Sequence, residues 1–199
     1  MPGATDHPRH ALAVLVSGTG SNLEAMIKAG LPIAVVAADR QCHGLDIAEE
    51  ADIPAELVER ADFGPNFDRA WYTEKLALIL RRYGADTVAM AGFMTLLSPG
   101  FFEIFGGRVL NTHPSLLPLF KGDRAVSDTL SAGAIETGCT IHVATEALDD
   151  GPILAQAKVP VLPGDTADSL HERIKEAEHR LYPQVLKDIL SDAIIPPEN

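Results

Sequence analysis

Short apolar runs that alternate with helical patterns constrain the fold of this chain more than any other feature. Such runs, bounded by turn or capping residues, are typical of strands buried on both faces of a parallel sheet. The four runs of the first half are Ala11–Val16, Ile33–Ala38, Thr87–Ala91 and Arg108–Asn111. The helical patterns between them cover Leu23–Lys28, Leu45–Ala51 and Asn66–Tyr83. This alternation predicts an α/β fold with a doubly wound, mostly parallel sheet, and ligands outside the carboxyl ends of its strands.

The alternation of strand and helix patterns changes after Pro118. A helix is predicted near Ala125–Ala132, followed by two apolar runs, Cys139–Ala144 and Ile153–Val159, which can pair as antiparallel strands. A long final helix is predicted from Thr166 to about Leu190, with Asp165 or Thr166 as its cap and apolar residues at helical spacing. We therefore expect an antiparallel addition at the C-terminal side of the sheet and a long helix packed over it.

The 199 residues contain no repeat and no linker-like segment, and 46% hydrophobic with 22% charged residues is an ordinary globular composition. We expect a single domain over residues 11–190, a frayed leader over residues 1–10 and a tail over residues 191–199. The leader has no apolar core, and no stretch approaches roughly 18 consecutive apolar residues, so neither secretion nor membrane spanning is expected.

The charge balance limits the partners. Sixteen Lys and Arg against 28 Asp and Glu give a net charge of −12. A field of that sign disfavours nucleic acid and anionic membranes, so we expect small-molecule partners. Cys42 and Cys139 lie far apart without metal-ligand spacing, which argues against a disulfide framework or a zinc site and favours a reducing, cytoplasmic setting.

A glycine-containing turn follows the first predicted strand. The segment Ser17–Asn22 reads Ser-Gly-Thr-Gly-Ser-Asn and opens a helix, so free backbone N–H groups there can hold a phosphate. It lacks the Lys-Ser/Thr pair of a nucleoside-triphosphate loop, and Leu23 replaces the third glycine of a dinucleotide fingerprint. A tight turn without a ligand, or a nicotinamide-cofactor site that uses Asp39, remain alternatives.

Two further motifs offer acid–base chemistry. Asn111 and His113 lie two residues apart at the end of a buried strand, in the proline-stiffened segment that ends at Pro118, so their side chains can share one side. An imidazole can transfer protons near neutral pH, and a carboxamide can donate to a developing oxyanion. Asp149 and Asp150, in an Asp-Asp-Gly-Pro turn, offer a carboxylate that could orient the imidazole.

The remaining features are ambiguous. His142 lies inside an apolar strand and is interpreted as a satisfied buried residue or a support for the site. The segment around Gly92, with Met90, Phe93 and Met94, is either core or the wall of a flat aromatic ligand's site. No histidine shows metal-ligand spacing, so no metal is expected.

Taken together, these motifs resemble the phosphoribosylglycinamide formyltransferases of purine biosynthesis, over nearly the whole chain from about Ala11 to Pro183. The segments that carry the resemblance are Ser17–Asn22, Ala91–Met94, Asn111–Pro118 and Leu148–Pro152. The resemblance implies a Rossmann-like formyltransferase fold and formyl transfer from 10-formyltetrahydrofolate to the amine of phosphoribosylglycinamide, without a metal. It leaves monomer and homodimer open.

The resemblance also assigns residues. It implies Asn111, His113 and Asp149 as the catalytic trio, with Asp150 in a variable position. Positions that match substrate-binding residues of the family are Gly20, Ser21, Asn22, Lys175 and Glu178. Positions that match folate-contacting residues are Arg69, Met94, Thr95, Leu96, Leu97 and Asn111.

Two departures from the family pattern stand out. Thr95 occupies a position where many relatives carry arginine, which leaves Arg69 as the expected cation for the folate's glutamate tail. Asp123-Arg124 alters a loop that follows the histidine motif. Alternatives are another 10-formyltetrahydrofolate enzyme, either a hydrolase or a formyltransferase of a different amine, and, in a different class, a non-catalytic nucleotide-binding module.

Overall fold

The computed structural model describes residues 10–62, 64 and 66–197. The leader predicted for residues 1–10 therefore lies outside the described residues, apart from His10. The strands are β1 (Leu12–Val16), β2 (Ile33–Ala38), β3 (Ala55–Leu57), β4 (Thr87–Met90), β5 (Val109–His113), β6 (Glu136–Val143) and β7 (Ile153–Pro160). The helices are α1 (Ser21–Lys28), α2 (His43–Glu50), α3 (Arg69–Arg82), α4 (Pro99–Ile104), α5 (Ala125–Ser131) and α6 (Ala167–Leu190).

The strands form one sheet in the order β3-β2-β1-β4-β5-β6-β7. The first five strands in this order are parallel, and β6 and β7 are antiparallel additions. The chain winds outward from β1 to β3 and then returns to the other side of β1 as β4. The carboxyl ends of β1 and β4 therefore meet at a topological switch point, where open α/β sheets bind ligands. The predicted fold class is confirmed.

Helices cover both faces of the sheet. On one face, Leu12, Val14 and Val16 of β1 pack with apolar residues of α1, α2 and α6. On the other face, Ala13 and Leu15 pack with α3 and α4. This alternation along β1 follows the two-residue period of a strand, and every residue of β1 is buried. The carboxyl edge of the sheet is therefore flanked by α1, α2 and α6 on one face and by α3 and α4 on the other.

Two elements were absent from the sequence prediction. β3 has only three residues and α4 only six, too few for either periodicity to emerge. β5 also extends to His113, so the motif histidine ends the strand itself. The predicted antiparallel pair is confirmed, although β6 begins earlier than expected, at Glu136.

The long C-terminal helix is confirmed in the structure. Thr166 caps α6 by accepting a hydrogen bond from the backbone N–H of Ser169, which closes a capping box. The hydroxyl of Tyr182, in the middle of this helix, donates to the carbonyl oxygen of Leu110 at 2.8 Å and so ties α6 to β5. Within the described ranges, no helix is both long and apolar enough to cross a membrane.

Candidate functional site

The turn between β1 and α1 is shaped by Gly20. Its φ of 77° is left-handed, and a Cβ there would lie 2.8 Å from Ile47 Cδ1 and 2.9 Å from Gly44 Cα, so only glycine fits. The first bond within the helix runs from the N–H of Glu24 to the carbonyl of Gly20. The N–H groups of Ser21 and Asn22 precede that bond and point out of the helix, where an anion can accept them.

A buried carboxylate lies beside this turn. Glu178 of α6 is 5% exposed, and it accepts hydrogen bonds from Thr112 Oγ1 at 2.9 Å and from Asn22 Nδ2 at 3.4 Å. Burial raises the pKa of Glu178 above its ordinary value, although both hydrogen bonds oppose the shift. Lys175, one turn earlier on α6, is half-buried and pairs with the exposed Glu172. The five predicted substrate-binding residues thus fall at the start of α1, including its N-cap Gly20, and on α6, which packs against α1.

The alternation of β5 separates two sets of side chains. Thr112 points to the α6 face, where it reaches Glu178. Asn111 and His113 point to the opposite face, which α3 and α4 cover. Asn111 lines a cavity of about 280 Å³ on that face, together with Asp149. The predicted catalytic and substrate-binding residues therefore lie on either side of one strand end.

His113 is almost fully buried, at 4% exposure, and both of its ring nitrogens face oxygens. Nδ1 lies 3.3 Å from Asp149 Oδ2, an ion-pair distance, and Nε2 lies 2.8 Å from the carbonyl oxygen of Phe120. A carbonyl and a carboxylate both accept hydrogen bonds, so protons on both nitrogens satisfy this arrangement. The surroundings of the ring therefore match the charged imidazolium form.

Asp149 and Asp150 have different environments. Asp149 has a left-handed φ of 52° and is buried, and its Oδ2 accepts the N–H of Gly122 at 2.8 Å. Asp150 is exposed and pairs with Lys121, which lowers the pKa of Asp150. The next residue, Gly151, packs so closely that a Cβ would overlap the carbonyl oxygen of Val143. The structure thus brings Asp149, and not Asp150, to the motif histidine.

The cavity on the α3 and α4 face is mainly apolar. Four of the predicted folate-contacting residues besides Asn111 line it, namely Arg69, Thr95, Leu96 and Leu97. Its other walls are Met90, Phe93, Pro99, Phe102, His142 and the segment 144–149. Met94 is not among the lining residues: its side chain is exposed, and its backbone N–H donates to Ser17 Oγ at 2.9 Å. Apolar walls with a few polar groups are typical of small-molecule sites.

Thr95 is buried against Asp39 rather than open to a ligand's charge. Its hydroxyl donates to Asp39 Oδ2 at 2.7 Å, and the guanidinium of Arg40 donates to both oxygens of the same carboxylate. Burial raises the pKa of Asp39, but these hydrogen bonds outweigh burial and the pKa lies below its ordinary value. Asp39 is fully buried and its oxygens are occupied, so it does not offer a carboxylate to a cofactor ribose.

Several contacts of the site carried no specific sequence signal, although His142 is the satisfied buried residue that the sequence suggested. His142 lies 3.2 Å from Asn111 through Nε2 and Nδ2, and Thr112, Phe120 and Gly122 contact the predicted site residues directly. Their contacts depend on strand register and loop path, which no local motif specifies. In the part of the chain that the structure describes, no group of three or more His, Cys, Asp or Glu could hold a metal ion.

Fold and geometry together define a doubly wound α/β protein with a His–Asp pair and a carboxamide at the carboxyl edge of its sheet. The family model described as formyl transferase matches residues 10–186. The chain belongs to the formyl transferase family.

The relatives of this chain agree with that assignment. Phosphoribosylglycinamide formyltransferase of Mycobacterium tuberculosis is 46% identical over 175 residues, which cover 85% of this chain and 80% of that protein. The trifunctional purine biosynthetic protein adenosine-3 of Bos taurus is 40% identical over 195 residues, covering 94% of this chain. The chain spans only 19% of the length of that trifunctional protein.

Solved structures match the whole fold. Glycinamide ribonucleotide transformylase 1 from Symbiobacterium toebii superposes with a TM-score of 0.87 at 37% identity, over 94% of this chain and 91% of that one. Phosphoribosylglycinamide formyltransferase from Anaplasma phagocytophilum gives a TM-score of 0.86 at 40% identity, over 94% of this chain and 89% of that one. The predicted sheet, its antiparallel addition and the long C-terminal helix thus recur in solved members of the family.

Proposed function

We propose that this chain transfers the formyl group of 10-formyltetrahydrofolate to the primary amine of phosphoribosylglycinamide, a step of de novo purine biosynthesis. The single observation that carries the proposal is the position of the Asn111, His113 and Asp149 side chains. They come together beside the carboxyl end of β5, between the cradle of backbone N–H groups at the first turn of α1 on one face and an apolar cavity on the other. Two substrates bound at these places can meet at one strand end.

The cradle suits the ribonucleotide. The outward N–H groups of Ser21 and Asn22 hold its phosphate, since the N-terminal end of a helix favours an anion. Glu178 acts from behind that turn by accepting a hydrogen bond from Asn22 Nδ2, and Lys175 adds a cation on the same helix face. These N–H groups and the lysine explain how a protein of net charge −12 can hold an anionic substrate locally.

The cavity suits the formyl donor. A pterin and a benzoyl ring present flat faces, and these faces match apolar walls such as Phe93, Leu97 and Phe102. Polar groups of the segment 144–149 can pair with the edge of the pterin, and Arg69 at the mouth can meet the carboxylate of its glutamate tail. The donor contributes a formyl group on a nitrogen that becomes the leaving group.

Charge development determines the roles of the trio. When the substrate amine bonds to the formyl carbon, the formyl oxygen becomes an oxyanion. The positive charge of a protonated His113 and an N–H of Asn111 stabilise that charge, and one hydrogen-bond donor is worth about 2.7–4 kcal/mol in other acyl-transfer sites. Asp149 stabilises the imidazolium by its opposite charge. The bond between formyl carbon and donor nitrogen then breaks, and the proton lost by the amine passes to that nitrogen through His113 or a water held by Asp149.

An assay of both products tests the proposal. Purified protein is incubated with 10-formyltetrahydrofolate, with and without phosphoribosylglycinamide, and formylated ribonucleotide and free formate are measured separately. We expect formylated ribonucleotide only when both substrates are present, and its loss in the His113→Ala variant. Formate release without the ribonucleotide would instead support a hydrolase, and formylation of a different amine would support another transferase.

The non-catalytic alternative makes a different prediction. A nucleotide-binding module would bind a dinucleotide tightly and would not bind folate, and calorimetric titration with each ligand separates the two. The burial of Asp39 already weighs against a ribose contact there. Small-molecule partners, a cytoplasmic location, a monomer or homodimer and the absence of a metal stay predictions.

A further inference from the structure

His142 lies next to the proposed catalytic group without belonging to it. It is buried in β6, where the antiparallel pairing of β5 and β6 sets it directly opposite Asn111. Both side chains line the same cavity. The relation between them rests on strand register and not on any motif.

The backbone determines which ring nitrogen of His142 carries its proton. Nδ1 lies 3.0 Å from the carbonyl oxygen of Val143, which can only accept, so the proton is on Nδ1. Burial lowers the pKa of His142, although the Val143 carbonyl and the Asp149 carboxylate oppose the shift. The ring is therefore neutral at physiological pH, and Nε2 is a hydrogen-bond acceptor.

This tautomer determines the orientation of the Asn111 amide. Its Nδ2 lies 3.2 Å from His142 Nε2 and donates one hydrogen to it. An amide nitrogen carries a second hydrogen, about 120° from the first, and the carbonyl oxygen lies on the other side of the group. A flipped amide would place its oxygen against the lone pair of Nε2, which is unfavourable.

We propose that His142 is a positioning residue that holds the amide of Asn111 with an N–H, rather than its carbonyl oxygen, toward the reacting formyl oxygen. This inference rests on the proposed function for its consequence in catalysis, but the orientation of the amide can be measured without it. A carbonyl oxygen in that place would repel the developing oxyanion. The orientation of the amide therefore determines whether Asn111 stabilises or destabilises the transition state.

The charged neighbours make the hydrogen bond between His142 and Asn111 sensitive to low pH. Asp149 Oδ1 lies 3.8 Å from His142 Nε2, and His113 lies on the adjacent strand, with Glu146 on the wall of the same cavity. A proton on Nε2 would remove the acceptor of Asn111 and would draw Asp149 away from His113. Both changes lower the rate, so the wild-type kcat falls as pH falls through the lowered pKa of His142.

Two substitutions separate positioning from packing. His142→Gln keeps an acceptor, because its amide oxygen reaches about the place of Nε2 and cannot be protonated, whereas His142→Phe keeps the ring shape without an acceptor. We expect His142→Phe to lower kcat about 10- to 100-fold with both KM values within about 3-fold, as for partial loss of an oxyanion donor. His142→Gln should stay within about 5-fold at pH 7.5 and lose the acid decline that belongs to His142.

Two control experiments complete the kinetic test. The exposed His43→Gln should leave kcat and its pH profile unchanged. In an Asn111→Leu background, His142→Phe should add little, because the group it positions is gone. Near-parental turnover in His142→Phe, or equal damage in Gln and Phe variants, would overturn the proposal.

Nitrogen-15 NMR of the ring reads the tautomer whether or not formyl transfer occurs. With His142 assigned by comparison with His142→Gln, we expect a protonated Nδ1 and a bare Nε2 at pH 7.5. A proton on Nε2 at that pH would refute the inference even in a fully active enzyme. Absence of formyl transfer with the expected tautomer would instead remove the proposed function and leave the geometry standing.

Discussion

Asp149 and Asp150 are neighbours in the chain with opposite surroundings, and this contrast gives a matched pair of variants. Asp149 is buried beside His113, whereas Asp150 is exposed and paired with Lys121. We expect Asp149→Asn to lower kcat about 10²–10⁴-fold, the range for loss of acid–base help. Asp150→Asn should change kcat little. Steady-state kinetics with saturating substrates measure both.

The pairing with His113 can be tested in the same series. His113→Ala should be about as damaging as Asp149→Asn, and the double variant little worse than the poorer single one, since residues that act as a unit are not additive. If Asp150→Asn lost most of its kcat while Asp149→Asn kept a near-parental kcat, the wrong aspartate would have been assigned. Strict additivity would show that His113 and Asp149 work separately.

Thr112 holds Glu178, and this contact predicts a pH-dependent effect. Burial raises the pKa of Glu178, so its ionisation in the folded state costs free energy as pH rises from the unfolded value through the raised one. Thr112→Val removes a donor to the carboxylate and should raise that pKa further. The free energy of unfolding should therefore drop more at pH 8 than at pH 4.5, by denaturant titration, while Thr112→Ser stays close to the parent.

Residue chemistry was more predictable from sequence than residue contacts. Asn111 and His113 are two apart on a strand, so their shared side follows from the strand period alone. The partnership of His142 with Asn111 spans 31 positions and depends on the register of two antiparallel strands. The choice between Asp149 and Asp150 depends on the left-handed turn at Asp149, which the Asp-Asp-Gly-Pro sequence permits but does not specify.

Among the elements of the site, the start of α1 allows phosphate binding to be tested by a single substitution. Gly20 itself is unsuitable, because any side chain there collides with α2. Ser21→Asp puts a negative charge at the first turn of the helix, which stabilises an exposed helix by about 0.3–1 kcal/mol but repels a bound phosphate. We expect a large rise in the ribonucleotide KM, an unchanged folate KM and a melting temperature that does not fall.

Ser21→Asn is the matched neutral control for that charge. It has nearly the same shape as aspartate and should leave the ribonucleotide KM near the parental value. If Ser21→Asp raised both KM values equally in a stable protein, the phosphate would bind elsewhere.

A hydroxyl of the loop after β4 donates to the residue that follows β2, and a second buried threonine offers a matched comparison. Thr95 donates to the buried Asp39, whereas the equally buried Thr137 Oγ1 has no hydrogen-bond partner among the described residues. Thr95→Val should cost about 1.5–3 kcal/mol of unfolding free energy, the range for hydrogen bonds to charged groups. Thr137→Val should be neutral or stabilising in the same urea titration. Equal costs would mean that the Asp39 contact contributes nothing specific.

The elements themselves show where sequence patterns are sufficient. β1 and β2 are continuous apolar runs bounded by turn residues, and the structure confirms both. β3 is an edge strand of three residues with only partly buried side chains, so neither period nor apolarity marks it. The six residues of α4, Pro-Gly-Phe-Phe-Glu-Ile, form fewer than two helical turns. A sequence pattern of that length cannot be distinguished from a buried loop.

At the scale of the molecule, the sheet separates the two proposed substrates. The cradle lies on the face covered by α1 and α6, and the cavity lies on the face covered by α3 and α4, so binding of one ligand leaves the other place open. Only the end of β5 is shared, because Asn111 faces the cavity there and Thr112 faces α6. We therefore expect the proposed formyl transfer only when both substrates are bound.

This arrangement predicts direct transfer without a formylated protein. The cavity wall contains no cysteine, serine or lysine among the described residues, and burial raises the pKa of the Cys139 thiol to about 12, so that thiol is not a nucleophile. Initial-rate plots against one substrate at several fixed concentrations of the other should intersect, as for a ternary complex. Parallel lines are the signature of a covalent intermediate. If parallel lines appeared together with labelled protein after incubation with ¹⁴C-formyl donor alone, a side chain would carry the group, and the two faces of the sheet would be used in turn.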